Sequence, residues 1–215
     1  MTGEPVETST GRKASKEVRK HQLIKATISV LARKGYAALT VADVAKVAKL
    51  STGIIIFHFA SKDELLASVL RFLAEEYHQN WKRAVAAAGE APEARLAALT
   101  LSDFDEKVYT PEKLAAWIAF WGETQGRPVY DQICASYDAE RQSTNLACCK
   151  ALISSGNYTL DPYLTMQALE CLCDGLWLGV AAAGSGVSGR VTADDAARIM
   201  RASLAAFFPR HFKSD

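Results

Sequence analysis

The chain has 215 residues, 49% of them hydrophobic and 23% charged, with a net charge of +1 and a mean hydropathy of −0.01. That balance fits one or two globular domains and excludes a disordered or fibrous chain. The charge is unevenly placed. Residues 1–72 carry 12 Lys and Arg against 6 Asp and Glu, a net of +6, and the rest carries 13 against 18, a net of −5, so the first third is suited to a polyanion.

Residues 1–14 are polar and aperiodic, which predicts a disordered tail. They hold no apolar run of signal-peptide type, which gives a cytoplasmic expectation. From Ser15 the pattern is helical: Leu23, Ile24, Ile28, Val30 and Leu31 recur three to four residues apart, and Gly35 supplies a stop. Thr40-x-x-Asp43 is a capping box that opens a second, short helix. The turn Lys49-Leu50-Ser51 leads into a third of about seven residues. Ser61-x-x-Glu64 opens a long fourth helix through Leu65, Leu66, Val69, Phe72 and Leu73. Pro92, Pro111, Pro128 and Asp161-Pro162 mark four further starts, and Thr192-x-x-Asp195 caps a last helix that ends near Pro209. The count is nine helices and no sheet, an all-α fold.

Several motifs are decoys. Gly184, Gly186 and Gly189 match a dinucleotide-binding spacing, but they follow a helical segment and read as an inter-helix loop. Cys134, Cys148, Cys149, Cys171 and Cys173 are odd in number, and their close pairs diverge around a helix, so they read as buried filler rather than as a metal or redox site. His21, His58, His78 and His211 are scattered, and no nucleophile or acid–base set converges. The chain reads as a non-enzyme without cofactor or metal.

Residues 40–59 form two short helices joined by a tight turn, the helix-turn-helix pattern. Val44, Leu50 and Ile55 point to a shared core, and small Ala45 lets the second helix cross closely. Ser51 and Thr52 stand at the amino end of that helix, where hydroxyl and N–H groups suit phosphate oxygens. Thr52, Gly53, Ile56 and Phe57 then face the major groove of double-stranded DNA.

The run from Gln22 to Leu66 resembles the DNA-binding domain of TetR-family transcriptional repressors. The residues that carry the resemblance are Ala48-Lys49-Leu50-Ser51-Thr52-Gly53-Ile54-Ile55-Ile56-Phe57-His58-Phe59, followed by Ser61-Lys62-Asp63-Glu64-Leu65. Two positions depart from the family. Lys49 stands where Gly is usual, and Ile56 stands where Tyr is usual, so a phosphate-contacting hydroxyl is lost. Phe104-Asp105-Glu106, Ala116–Trp121, Pro128-Val129-Tyr130 and Asp174–Leu178 are similar to the choline-sensing, BetI-type subgroup. The resemblance implies a nine-helix subunit with a helix-turn-helix head at 15–60 and an effector-binding and dimerisation domain at 61–215. It implies a homodimer on a palindromic operator, joined by helices at about 161–183 and 192–209 with Leu164, Leu172, Leu176, Ile199 and Leu204 as apolar contacts.

Expected DNA-contacting residues are Thr40, Ser51, Thr52, Gly53, Ile56, Phe57, His58 and Lys62, with Arg19 and Lys20 from a basic arm that also holds Arg12, Lys13 and Lys16. Trp117 and Trp121 are four apart and share one helix face. Trp177, Tyr130 and Phe120 are expected to approach from other helices, and Asp174 and Glu123 to supply countercharge. A quaternary ammonium ion donates no N–H hydrogen bond, so aromatic faces and carboxylates are its partners. The expected effector is choline or a related cation that releases a repressor of glycine-betaine metabolism. Open alternatives are an uncharged aromatic or lipophilic effector, and a helical protein-interaction module.

Overall fold

The computed structural model describes residues 16–122, 128–180 and 191–213, and the backbone alone of 9–15, 127 and 181–183. The described residues form helices only: α1 (Ser9–Ala38), α2 (Val41–Ala48), α3 (Thr52–His58), α4 (Lys62–Ala87), α5 (Pro92–Leu101), α6 (Pro111–Gly122), α7 (Arg127–Gly156), α8 (Pro162–Ala183) and α9 (Ala193–Phe207). Helix α1 takes in residues 9–14 of the segment expected to be a tail. The glycine-rich decoy lies outside the described residues.

Local chemistry sets the boundaries. α1 breaks at Gly35, whose φ of 74° is open to glycine at little cost. Thr40 Oγ1 accepts from Asp43 N–H and the Asp43 carboxylate accepts from Thr40 N–H, both at 3.2 Å, closing the box that starts α2. Thr192 and Asp195 repeat it at α9. The box at α4 is looser: Ser61 Oγ caps Glu64 N–H, while Glu64 reaches back to Ala60 N–H instead of Ser61.

The head is α1–α3 with the start of α4. Leu23, Val44, Ala45, Ile55, Phe59 and Leu65 are buried together in its core. Burying a side chain of the size of Ile55 contributes about 1.5–3 kcal/mol. Below the head, α5 and α7 pack on the long α4, α8 packs on α7, and α9 packs on α5 and α8, while α6 lies along α1 and also meets α8. The end of the chain is pinned to α7: the Tyr158 hydroxyl accepts from Arg210 N–H at 2.7 Å and pairs with His211 at 3.0 Å.

Helix α8 carries two apolar faces. Met166, Leu169, Cys173 and Leu176 enter the core, while Leu164, Ala168, Cys171, Gly175 and Leu178 form an exposed stripe. Two expectations are corrected here. Leu176 and Leu204, expected at a dimer contact, are 6% and 1% exposed within their own subunit. Cys171, expected as filler, is exposed, whereas the other four cysteines are buried. Apolar residues at three- and four-residue spacing serve either face of a helix, and sequence spacing does not say which one meets the core.

Candidate functional site

The first site is the outer surface of the head. α2 ends at Lys49 with φ 55° and ψ 44°, a left-handed turn that returns the Leu50 N–H to Ala45 O at 2.9 Å. Gln22 fastens α1 to this corner by donating to Ala48 O at 2.9 Å, and is itself held by Arg19 at 2.6 Å. Lys34 and Thr40 both bond Asp43 and draw its carboxyl down to about 2. α3 turns Ile55 inward at 2% exposure and leaves Ser51, Thr52, Gly53, Ile56 and Phe57 outward. Thr40 is exposed at the α2 cap, and Lys62 is half-buried at the first residue of α4.

The basic arm comes to the same surface. The Lys16 ammonium sits 5.8 Å from the centre of the Phe57 ring. The His58 pKa is lowered from its usual value by burial, and by the positive charges of Lys16, Lys20 and Arg19. Lys16 thus stands beside α3, Arg19 reaches the α2 corner through Gln22, and the charge of Lys20 is felt at His58. The side chains of Arg12 and Lys13 lie outside the described residues.

The second site is a cavity of about 520 Å³ bounded by α4, α6, α7 and α8. Trp117, Phe120, Trp121, Tyr130, Asp174 and Trp177 all line it. Phe120 lies on α6 with Trp117 and Trp121, so its expected approach from another helix is corrected. Glu123 lies outside the described residues. The three tryptophans touch one another: Trp121 stacks on Trp177 at 6.0 Å and 24°, and Trp117 lies 6.2 and 6.4 Å from these two. Tyr130 meets Trp117 edge-on, and Tyr77 meets Trp177 edge-on.

The base of this wall is ionic, and sequence reading missed it. Arg141, 4% exposed, holds Asp103 and Glu170 at 2.6 Å each and donates to the Tyr77 hydroxyl at 2.7 Å. The Tyr77 hydroxyl in turn donates a hydrogen bond to the Asp103 carboxylate at 2.8 Å, and the Trp177 indole donates to the Asp103 backbone carbonyl. Asp131, Asp138 and Asp174 also face the cavity. Among the described lining residues Arg141 is the sole base, and it is already committed to two acids. The surplus negative charge shows in the acids themselves. Burial raises the Asp138 carboxyl above its usual range. Burial, with Glu170 and Asp103 as like charges, pushes Asp174 up to about 6. One signal could have found this base. On α7, Tyr130, Cys134, Asp138, Arg141 and Asn145 follow each other at three- or four-residue spacing, which puts three polar groups in an inward row.

The two sites are mechanically joined. Phe120 on the cavity wall meets Tyr36 of α1 edge-on at 5.6 Å. α4 carries Lys62 at the head and Tyr77 at the cavity, a helical span of about 22 Å.

Comparison with known proteins identifies two matched stretches. Residues 23–69 match the model for bacterial regulatory proteins of the tetR family, and residues 92–209 match the model for the BetI-type transcriptional repressor, C-terminal. The HTH-type transcriptional regulator BetI of Burkholderia thailandensis is 33% identical over 172 residues, 79% of this chain and 85% of that protein. A putative transcriptional regulator from Pseudomonas aeruginosa superposes with a TM-score of 0.71 at 26% identity, covering 92% of this chain and 95% of that one. A putative regulator from Saccharomonospora viridis, solved in complex with choline, superposes with a TM-score of 0.71 at 19% identity, covering 87% and 96%. These relatives are regulators rather than enzymes. The chain belongs to the TetR family of transcriptional regulators, with a C-terminal domain of the BetI type.

Proposed function

We propose that this regulator binds a palindromic operator as a homodimer, represses transcription from it, and lets go when choline or a related quaternary ammonium ion enters the cavity, so governing glycine-betaine metabolism. The observation that carries the effector is the wall of three tryptophans and Tyr130 set among carboxylates whose only basic neighbour among the described residues, Arg141, is already paired. Each aromatic face contributes about 0.5–2 kcal/mol to a desolvated cation, and Asp174 supplies its countercharge. An uncharged lipophilic effector would have to desolvate these carboxylates without neutralising them, which is costly.

In this reading Thr40, Ser51, Thr52, His58, Lys62, Arg19 and Lys20 hold the phosphate backbone, and Gly53, Ile56 and Phe57 enter the groove. The exposed stripe of α8 with Ile199, Ala202 and Ala206 of α9 forms the dimer seam; its small residues let backbones approach. A cation that parts the tryptophans moves α6 and α4, and both act on the head.

The test is choline titrated against operator-bound protein, read by gel shift. Release at millimolar choline is expected, with Trp177→Ala requiring several-fold more. A complex that persists through millimolar choline overturns the effector assignment.

A further inference from the structure

The reading helix α3 is poor in hydrogen-bonding side chains. From Thr52 to His58 it holds no Arg, Lys, Asn, Gln, Asp or Glu, the residues that identify bases through paired hydrogen bonds. Ser51 and Thr52 offer only hydroxyls, and His58 is half-buried. What α3 presents is apolar. Ile56 is 64% exposed and Phe57 is 76% exposed. Thr52 stands one turn before Ile56, and Gly53 one turn before Phe57, so the two apolar side chains head adjacent rows on one surface.

Gly53 is an independent observation that points to a partner. A Cβ there would meet only Ser51 Oγ, at an ordinary 3.8 Å. Nothing within the subunit demands glycine at this position, and glycine inside a helix is destabilising. The missing side chain suits close approach of an outside molecule to the backbone. The surroundings say what kind of molecule. Lys16 stands against the Phe57 ring, Arg19 is tied through Gln22 to the end of α2, and the first 72 residues carry a net +6. A cationic rim fits a polyanion better than an apolar protein surface.

We propose that Gly53, Ile56 and Phe57 form a reader of thymine C5-methyl groups: Gly53 lets the α3 backbone come close to the base edges, and Ile56 and Phe57 cover the methyls of neighbouring T·A pairs. Among the bases, thymine alone carries such a methyl, and it is displayed only in the major groove. The proposal rests on α3 docking in that groove, and it sets half-site sequence through apolar contact.

The experiment begins with duplexes enriched by the full-length protein from a random pool. Each is resynthesised with deoxyuridine replacing thymidine one position at a time, which removes the methyl and keeps the base pair. At two neighbouring positions per half-site the affinity is expected to fall about fourfold per methyl, with no change in salt dependence. Ile56→Ala and Phe57→Ala should each lose the thymidine preference at one of the two positions and keep it at the other, while keeping salt-dependent binding to random DNA, which also shows that they fold. Gly53→Ala should melt roughly 1–4 °C higher than wild type and yet bind the enriched duplex more weakly. Equal wild-type affinity for the thymidine and deoxyuridine duplexes overturns the proposal. So does a change in oligomeric state on Phe57→Ala with no loss of methyl discrimination, since the patch would then be a protein contact. Failure to enrich any duplex overturns the operator-binding function itself.

Discussion

Lys49 shows how a single residue sets a corner of the head. Its left-handed backbone, φ 55°, strains an L side chain by about 1–2 kcal/mol, and glycine there loses more entropy on folding. Lys49→Gly is therefore expected to stabilise the protein by a net of about 0.5–1 kcal/mol, seen as a rise in melting temperature. Asp174 is the residue through which pH acts. Its carboxyl titrates at about 6, and a bound cation favours the ionised form. Choline affinity is expected to be steady above neutrality and to fall, toward tenfold per pH unit, as pH drops below 6; calorimetry across pH 5–8 checks this, and Asp174→Asn should flatten the profile. Lys62→Ala should weaken all DNA sequences alike and reduce the salt slope by about one unit. Legibility at this scale followed sequence distance. Lys49 and the Thr40–Asp43 box are set by neighbours within five residues. Arg141 is set by Asp103 and Glu170, 38 and 29 residues distant; the inward row on α7 marks its side of the helix but does not name those partners.

Among the elements, helix starts were legible because each is written in its own first turn: Pro92 and Pro111 at α5 and α6, and the Thr192–Asp195 box at α9. Facing was less so. α8 is apolar on two sides, and only the packed structure separates the buried row through Leu169 and Leu176 from the exposed row through Leu164 and Leu178. That exposed row gives a test of the dimer seam. Leu164→Glu and Leu178→Glu together should yield a folded, helical monomer with operator affinity reduced at least tenfold, since two linked heads become one; sedimentation and gel shift report both. Leu176→Glu should instead unfold the subunit, because its side chain is inside.

For the molecule as a whole, the packing of α6 on α1 ties the cavity wall to the head. Tyr36 touches Phe120 across this joint and lines neither site. Tyr36→Leu is expected to leave choline and operator each bound alone, while reducing their mutual antagonism by roughly 0.5–2 kcal/mol, measured as the ratio of operator affinities with and without choline. The fold class and the Trp117–Trp121 pair were legible in the sequence because caps, turns and an i,i+4 pair are short-range features; the Tyr36–Phe120 contact was not, because α1 and α6 meet there after some 80 intervening residues. The cavity has an optical corollary. Of the four tryptophans in the chain, three stand in mutual contact around it, and Trp81 is sealed in a separate cluster with Val85 and Leu99. Indoles stacked this closely exchange excitation, so effector capture writes itself into near-ultraviolet dichroism and emission colour, with Trp81 as a built-in constant background and no dye required.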